Sequence, residues 1–172
     1  MAEFPPKVPM ILLVNPDLCT GCRLCEMACS FWHYKEFNPA RSRITVVKWE
    51  EKGLDIPVVC LQCEDAACVA ACPTGALWTH EESGLVVYDA DLCIGCKTCI
   101  TACPFGGVGW DARTGTIMKC DWCGGEPQCV RICPTGAVQF VRADASSAAK
   151  RMKTAERFSE VVERLLTPKG RL

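Results

Sequence analysis

Cys93-Ile94-Gly95-Cys96-Lys97-Thr98-Cys99-Ile100-Thr101-Ala102-Cys103-Pro104 is the stretch whose reading decides the fold. It spells C-x2-C-x2-C-x3-C-P, a spacing by which cysteine thiolates hold iron–sulfur clusters. Three thiolates this close together can grip three corners of one cuboidal cluster, with Gly95 letting the loop turn tightly around it. Cys103 lies past that loop, and in two-cluster proteins built on this run the fourth cysteine serves the other cluster. Pro104 ends the segment, because it has no backbone N–H to donate.

The run is written four times, with variations. Group one is Cys19, Cys22, Cys25 and Cys29, in the same spacing but with Ser30 where proline would stand. Group two is Cys60, Cys63, Cys68 and Cys72, with a longer loop before Cys68, and Pro73-Thr74-Gly75-Ala76 follows it. Group three is the stretch quoted above. Group four is Cys120, Cys123, Cys129 and Cys133, with a longer loop still, and Pro134-Thr135-Gly136-Ala137 follows it. Asp17-Leu18-Cys19 repeats as Asp91-Leu92-Cys93, so groups one and three are alike, as are two and four. An internal duplication of a two-cluster unit explains this pattern, and by itself it pairs group one with two and three with four.

These groups use all 16 cysteines of a 172-residue chain. In a secreted chain such a content would mean disulfides. The N-terminus has no basic segment followed by a long apolar one, and the apolar run Met10–Val14 is too short to cross a bilayer. Reduced, metal-binding thiols in the cytoplasm are the expectation. Zinc also accepts four thiolates, but its ribbons join two separated C-x-x-C knuckles and do not need a third cysteine inside the same loop. No group has lost a ligand, as three-iron clusters would need, so four 4Fe–4S clusters are expected. His33 and His80 fit no ligand spacing and read as ordinary polar residues.

Around the groups the chain reads as short strands and hairpins. Strands are expected over 10–14, 43–49, up to Val59, 76–79, 85–88, 109–111, 116–118 and 137–141, with turns at Lys52-Gly53, Ser83-Gly84 and Thr114-Gly115. Residues 1–9, with three prolines, read as an extended arm. Residues 144–172 carry apolar positions at helical spacing and a basic excess, which predicts an amphipathic C-terminal helix. The five tryptophans are expected to shield clusters from water and fill a core short of large side chains. No basic stripe with interleaved aromatics points to nucleic acid. No nucleophile triad, phosphate-cradling loop or dinucleotide fingerprint points to catalysis.

The four groups, together with Lys119-Cys120-Asp121-Trp122-Cys123 and Cys103-Pro104-Phe105-Gly106-Gly107, resemble the four-cluster electron-transfer subunits of the dimethyl sulfoxide reductase iron–sulfur family. The short fourth group is most similar to small members that serve tungsten aldehyde oxidoreductases, class II benzoyl-CoA reductases and carbon monoxide dehydrogenase–hydrogenase systems. The resemblance implies an α+β polyferredoxin in which short hairpins and helices wrap four clusters in two ferredoxin-like lobes. It also implies a nested ligand scheme. Cys19, Cys22 and Cys25 share a cluster with Cys133; Cys120, Cys123 and Cys129 with Cys29; Cys60, Cys63 and Cys68 with Cys103; and Cys93, Cys96 and Cys99 with Cys72. Residues 10–143 would form the body, with the lobe of groups two and three inserted into that of groups one and four. The implied partners are a tungsten- or molybdenum-pterin catalytic subunit and a flavoprotein, a ferredoxin or a further copy of the chain. An assembly protein whose metals are structural is the alternative of a different class.

Overall fold

A computed structural model of the chain describes residues 10–143. The expected N-terminal arm and C-terminal helix lie outside them. The body is α+β, made of four two-stranded antiparallel sheets and short helices. β2 (Ile44–Trp49) pairs with β3 (Leu54–Val59), β4 (Leu77–Thr79) with β5 (Val86–Tyr88), and β6 (Val108–Asp111) with β7 (Thr116–Lys119). These are the hairpins expected from the sequence. The fourth sheet joins the ends of the body, β1 (Met10–Val14) running against β8 (Val138–Arg142) with Leu12 opposite Phe140. No local signal announces that long-range pairing.

β2 alternates as a half-buried strand should, with Ile44 and Val46 inside and Thr45 and Val47 outside. Pro57 sits within β3 without cost to a wider ladder, since a two-stranded sheet has only edge strands. Each cysteine group feeds a helix that carries its third cysteine. Three of these are stubs: α2 (Ala67–Ala70), α3 (Thr98–Ala102) and α4 (Gln128–Ile132). A proline two or three residues on forces the preceding residue out of the helical region, so Cys103 and Cys133 are extended, at ψ 110° and 109°.

α1 (Leu24–Tyr34) is the exception, at 11 residues. Ser30, standing where the other groups have proline, lets the helix run through Cys29 to Tyr34. The Ser30 hydroxyl donates to the Met27 carbonyl at 3.1 Å and accepts from the Asn38 N–H at 3.1 Å, so the substitution also anchors the chain leaving the helix. Glu26, 1% exposed, crosses from α1 to β2 by accepting the Val46 N–H at 2.6 Å, while Arg23 Nε donates to its other oxygen at 2.8 Å.

Two apolar cores result. One gathers Leu12, Ile44, Val46, Val59, Trp122 and Val138 with five cysteines from groups one, two and four. The other gathers Leu77, Val86, Val108 and Ile117 with Cys68 and Cys99. Accordingly α1 packs on α4 and α2 on α3. This is not the neighbour order that the internal repeat alone gives. Arg41 ties the halves together: its guanidinium donates to the buried Asp111 of β6 and to Glu36, and lies 3.6 Å from the Tyr34 ring centre.

The tryptophans depart from expectation. Trp122 is 1% exposed and meets Phe140 edge-on, and Trp110 packs against the second core. Trp32, Trp49 and Trp78 are exposed by 40–48%. Position near a cysteine group in sequence does not fix which face of a short hairpin or helix a side chain takes.

Candidate iron–sulfur centres

All 16 thiols are free, and tight backbone turns carry them. The residue just before each group's second cysteine has positive φ: Gly21 at 62°, Gly95 at 69°, Gln62 at 50° and Trp122 at 55°. The sequence showed this requirement only where glycine stands. Groups two and four hold non-glycine residues in the left-handed region, a strain of about 1–3 kcal/mol that surrounding contacts must offset. Gln62 is tied down by its side-chain hydrogen bonds, and Trp122 by burial against Phe140. Gly107 meets a different constraint. A Cβ there would lie 2.8 Å from Cys60 Cα, so no side chain fits between the loops of groups two and three.

The sulfurs converge in four sets. Cys72, Cys93, Cys96 and Cys99 line one cavity; Cys60, Cys63, Cys68 and Cys103 a second; Cys19, Cys22, Cys25 and Cys133 a third. The remaining four also meet: Cys29 acts electrostatically on both Cys123 and Cys129, and Cys120 and Cys129 share the first core with it. In every set, three cysteines come from one group and the fourth from another.

The sets are adjacent in series. Cys99 lies within electrostatic reach of Cys68, Cys120 within reach of Cys60, and Cys129 within reach of Cys25. The order is therefore group three, group two, group four, group one. Of the 16 cysteines, only Cys96 and Cys22 are exposed, one in each terminal set.

The donor chemistry fits iron–sulfur clusters. Burial, with neighbouring acidic groups, pushes the Cys25 and Cys129 thiols up to about 12 and Cys123 to about 11. Such thiols ionise only against a strongly positive centre, which ferric and ferrous iron supply. Backbone N–H groups already point at sulfur, from Gly95 to Cys93 at 3.4 Å, from Gly107 to Cys103 at 3.3 Å and from Arg43 to Cys29 at 3.3 Å. Hydrogen bonds of this kind tune such clusters. Tyr88, in the wall of the first cavity, turns a buried hydroxyl toward the Cys93 thiol, and Trp122 Nε1 is buried without a hydrogen-bond partner among the described residues. The Tyr88 hydroxyl is thus a donor beside a space lined by sulfur.

His33 is more than the ordinary polar residue expected. Its Nδ1 sits 2.8 Å from the Cys29 carbonyl oxygen and 3.8 Å from Cys29 Sγ, while Nε2 meets Asp121 at 3.1 Å. Burial alone would lower its pKa, but hydrogen bonds to Asp121 and Cys29 raise it to about 9. Asp121, held by His33 and by Arg43 Nη1 at 2.7 Å, falls well below the usual carboxylate range despite burial. Cys29 falls too, because His33 and the Arg43 N–H outweigh its burial. His33, Asp121 and Cys123 approach within 4.8 Å of one another, but imidazole and carboxylate already satisfy each other. The partners are 88 residues apart, so nothing in the sequence near His33 discloses the contact.

Cysteine sets of this kind, three of them lining cavities and all reached from short ferredoxin-like turns, define an iron–sulfur protein. Residues 52–143 match the 4Fe–4S dicluster domain, and residues 18–77 match a second family of the same description. The chain belongs to the 4Fe–4S dicluster domain family. It is 45% identical over 117 residues to the aliphatic sulfonate oxidoreductase polyferredoxin-like subunit of Pyrococcus furiosus, covering 68% of this chain and 67% of that one. It is 36% identical over 124 residues to one subunit of the anaerobic dimethyl sulfoxide reductase of Escherichia coli, covering 64% of this chain. With the NADH-dependent phenylglyoxylate dehydrogenase subunit beta of Aromatoleum evansii it shares 38% identity over 130 residues, 74% of this chain. The matches span 59% of the length of the dimethyl sulfoxide reductase subunit and 29% of the dehydrogenase subunit. Among solved structures, one polypeptide of the active-site complex BamBC of benzoyl coenzyme A reductase aligns with TM-score 0.48 and 24% identity, over 92% of this chain and 97% of that one.

Proposed function

We propose that the chain relays single electrons through four 4Fe–4S clusters inside an oxidoreductase complex, without catalysing a reaction itself. The observation that carries this reading is the serial order of the four cysteine sets with an exposed thiol at each end. Bound in these cavities, each cluster supplies a one-electron carrier.

The chain's own residues do the rest. In the nested scheme Cys133 completes the set of Cys19, Cys22 and Cys25, and Cys29 completes that of Cys120, Cys123 and Cys129. Cys103 completes Cys60, Cys63 and Cys68, and Cys72 completes Cys93, Cys96 and Cys99. Buried apolar side chains keep water from the two inner sets, where a charge would otherwise be strongly hydrated. The exposed rims around Cys22 and Cys96, with Leu18, Leu24, Leu92 and Ile94 beside them, are where partners would come close enough to exchange electrons.

One partner is a catalytic subunit with a tungsten or molybdenum pterin. The other is a flavoprotein, a ferredoxin or a further copy of this chain. The reading rests on the relatives, which belong to sulfonate, sulfoxide and phenylglyoxylate oxidoreductases. Cytoplasmic thiols stay reduced, as these must for assembly. Among the described residues no helix is long and apolar enough to cross a membrane.

Anaerobic redox titration followed by electron paramagnetic resonance tests the proposal. It should show reversible one-electron signals with magnetic coupling between neighbours. An absence of any reversible change over the accessible range would favour the purely structural alternative.

A further inference from the structure

Lys119 ends β7 and is 4% exposed, an ammonium group buried at the junction between the set of group two and that of group four. Its Nζ donates to Gln62 Oε1 at 2.8 Å and approaches Cys60 Sγ and the Cys120 carbonyl oxygen, each at 3.4 Å. These partners are an amide, a carbonyl and a thiol. An ammonium taken from water into such surroundings is costly unless a negative charge faces it. Among the described residues no carboxylate forms an ion pair with Lys119, and the sulfurs of the group-two set face it, since Lys119 also acts electrostatically on Cys63 and Cys68.

The surroundings hold the ammonium in place. Gln62 stands at one of the strained positive-φ positions, and its side chain uses both ends. Oε1 accepts from Lys119 and from the Val86 N–H at 3.1 Å, while Nε2 donates to the Cys120 carbonyl at 2.8 Å. A residue that replaces glycine in a left-handed turn and spans two cysteine groups is an expensive way merely to fill space.

We propose that Lys119, held by Gln62, is a fixed positive charge that makes the group-two cluster easier to reduce and so sets the step by which an electron crosses between the two halves. In that step one electron leaves the cluster of one set and arrives on its neighbour. No bond forms or breaks and no proton moves. The recipient gains one negative charge, which an ammonium in contact with its ligand sulfur stabilises more than it does the oxidised form. Lys119 is a positioning residue, acting on the cluster through Cys60. The inference rests on the four-cluster reading.

The test is potentiometric titration of the intact holoprotein, with iron and sulfide measured on the same samples. In Lys119→Met, full cluster content with a negative shift in the midpoint of one cluster supports the proposal. Lys119→Arg should restore the midpoint towards the wild-type value. Gln62→Glu places a carboxylate against the ammonium, cancels much of its field and should shift the same midpoint in the same direction. Unmoved midpoints in both Lys119→Met and Gln62→Glu would overturn the proposal, as would an equal shift of all four. If Lys119→Met assembles poorly, Gln62→Glu alone decides; loss of clusters in both overturns the electronic role in favour of a structural tie. Failure of the four-cluster reading itself looks different, because the unmutated protein would then show no reversible signals.

Discussion

Stripping iron from the purified protein with a chelator under reducing conditions is expected to unfold most of residues 10–143. Among the described residues no sheet is wider than two strands, and the α-helices run from 4 to 11 residues. A lone hairpin is marginal in water, and so is a helix shorter than about 12 residues. What such elements normally pack against is a large apolar core. Here Cys25, Cys29, Cys60, Cys120 and Cys129 occupy central positions in one core, and Cys68 and Cys99 in the other. Metal-free, these are small, separated thiols, and few large apolar side chains remain around them. Binding and folding should therefore be one process. Far-ultraviolet circular dichroism and visible absorbance should fall together as iron leaves. An apoprotein that kept a cooperative thermal transition would show that the polypeptide holds itself, which these cores do not support.

Paired cysteine substitutions should reveal the ligand sets by counting. In the nested scheme Cys72 and Cys99 belong to one set, so Cys72→Ala with Cys99→Ala should cost one cluster and leave three. Cys72→Ala with Cys68→Ala should damage two, because Cys68 lies in the neighbouring set with Cys103. If sets followed the repeat, with group two paired only to group one, the two results would not sort this way. Two lesions at one site are not additive, whereas two at separate sites are. Iron per chain and the number of spin signals give the count directly. Equal losses in both double variants would contradict the nested scheme.

Much of this was legible in the residues. Spacing within each group, where contacts are local, marks the loops, and turn residues such as Gly53 and Gly115 mark the hairpins between them. The local consequences of Ser30 are also physical: remove a proline and the helix continues. What could not be read are contacts between distant segments. β1 against β8, His33 against Asp121, and Lys119 against Gln62 join residues 57 or more positions apart. Each is a single polar or pairing event, without periodicity, so it leaves no pattern in a window of sequence. The positive φ at Gln62 and Trp122 was hidden for a related reason. Glycine advertises a left-handed turn, while a side chain held there by its tertiary contacts does not.

The repeat is a case where a real pattern points to the wrong neighbours. Groups one and three are alike in sequence because they share a loop, not a partner. The structure sets α1 on α4 and α2 on α3, and the fourth cysteine of each group crosses to the set beside it. Similarity of loops records how each is built, and packing of their helices decides which sulfurs meet.

The central claim is that these cysteines hold four 4Fe–4S clusters, and metal and sulfide analysis of anaerobically purified protein tests it most directly. The account predicts a brown protein with four clusters' worth of iron, an equal amount of acid-labile sulfide, and little zinc. A colourless protein carrying zinc, or one whose cysteines are joined in disulfides, would contradict it.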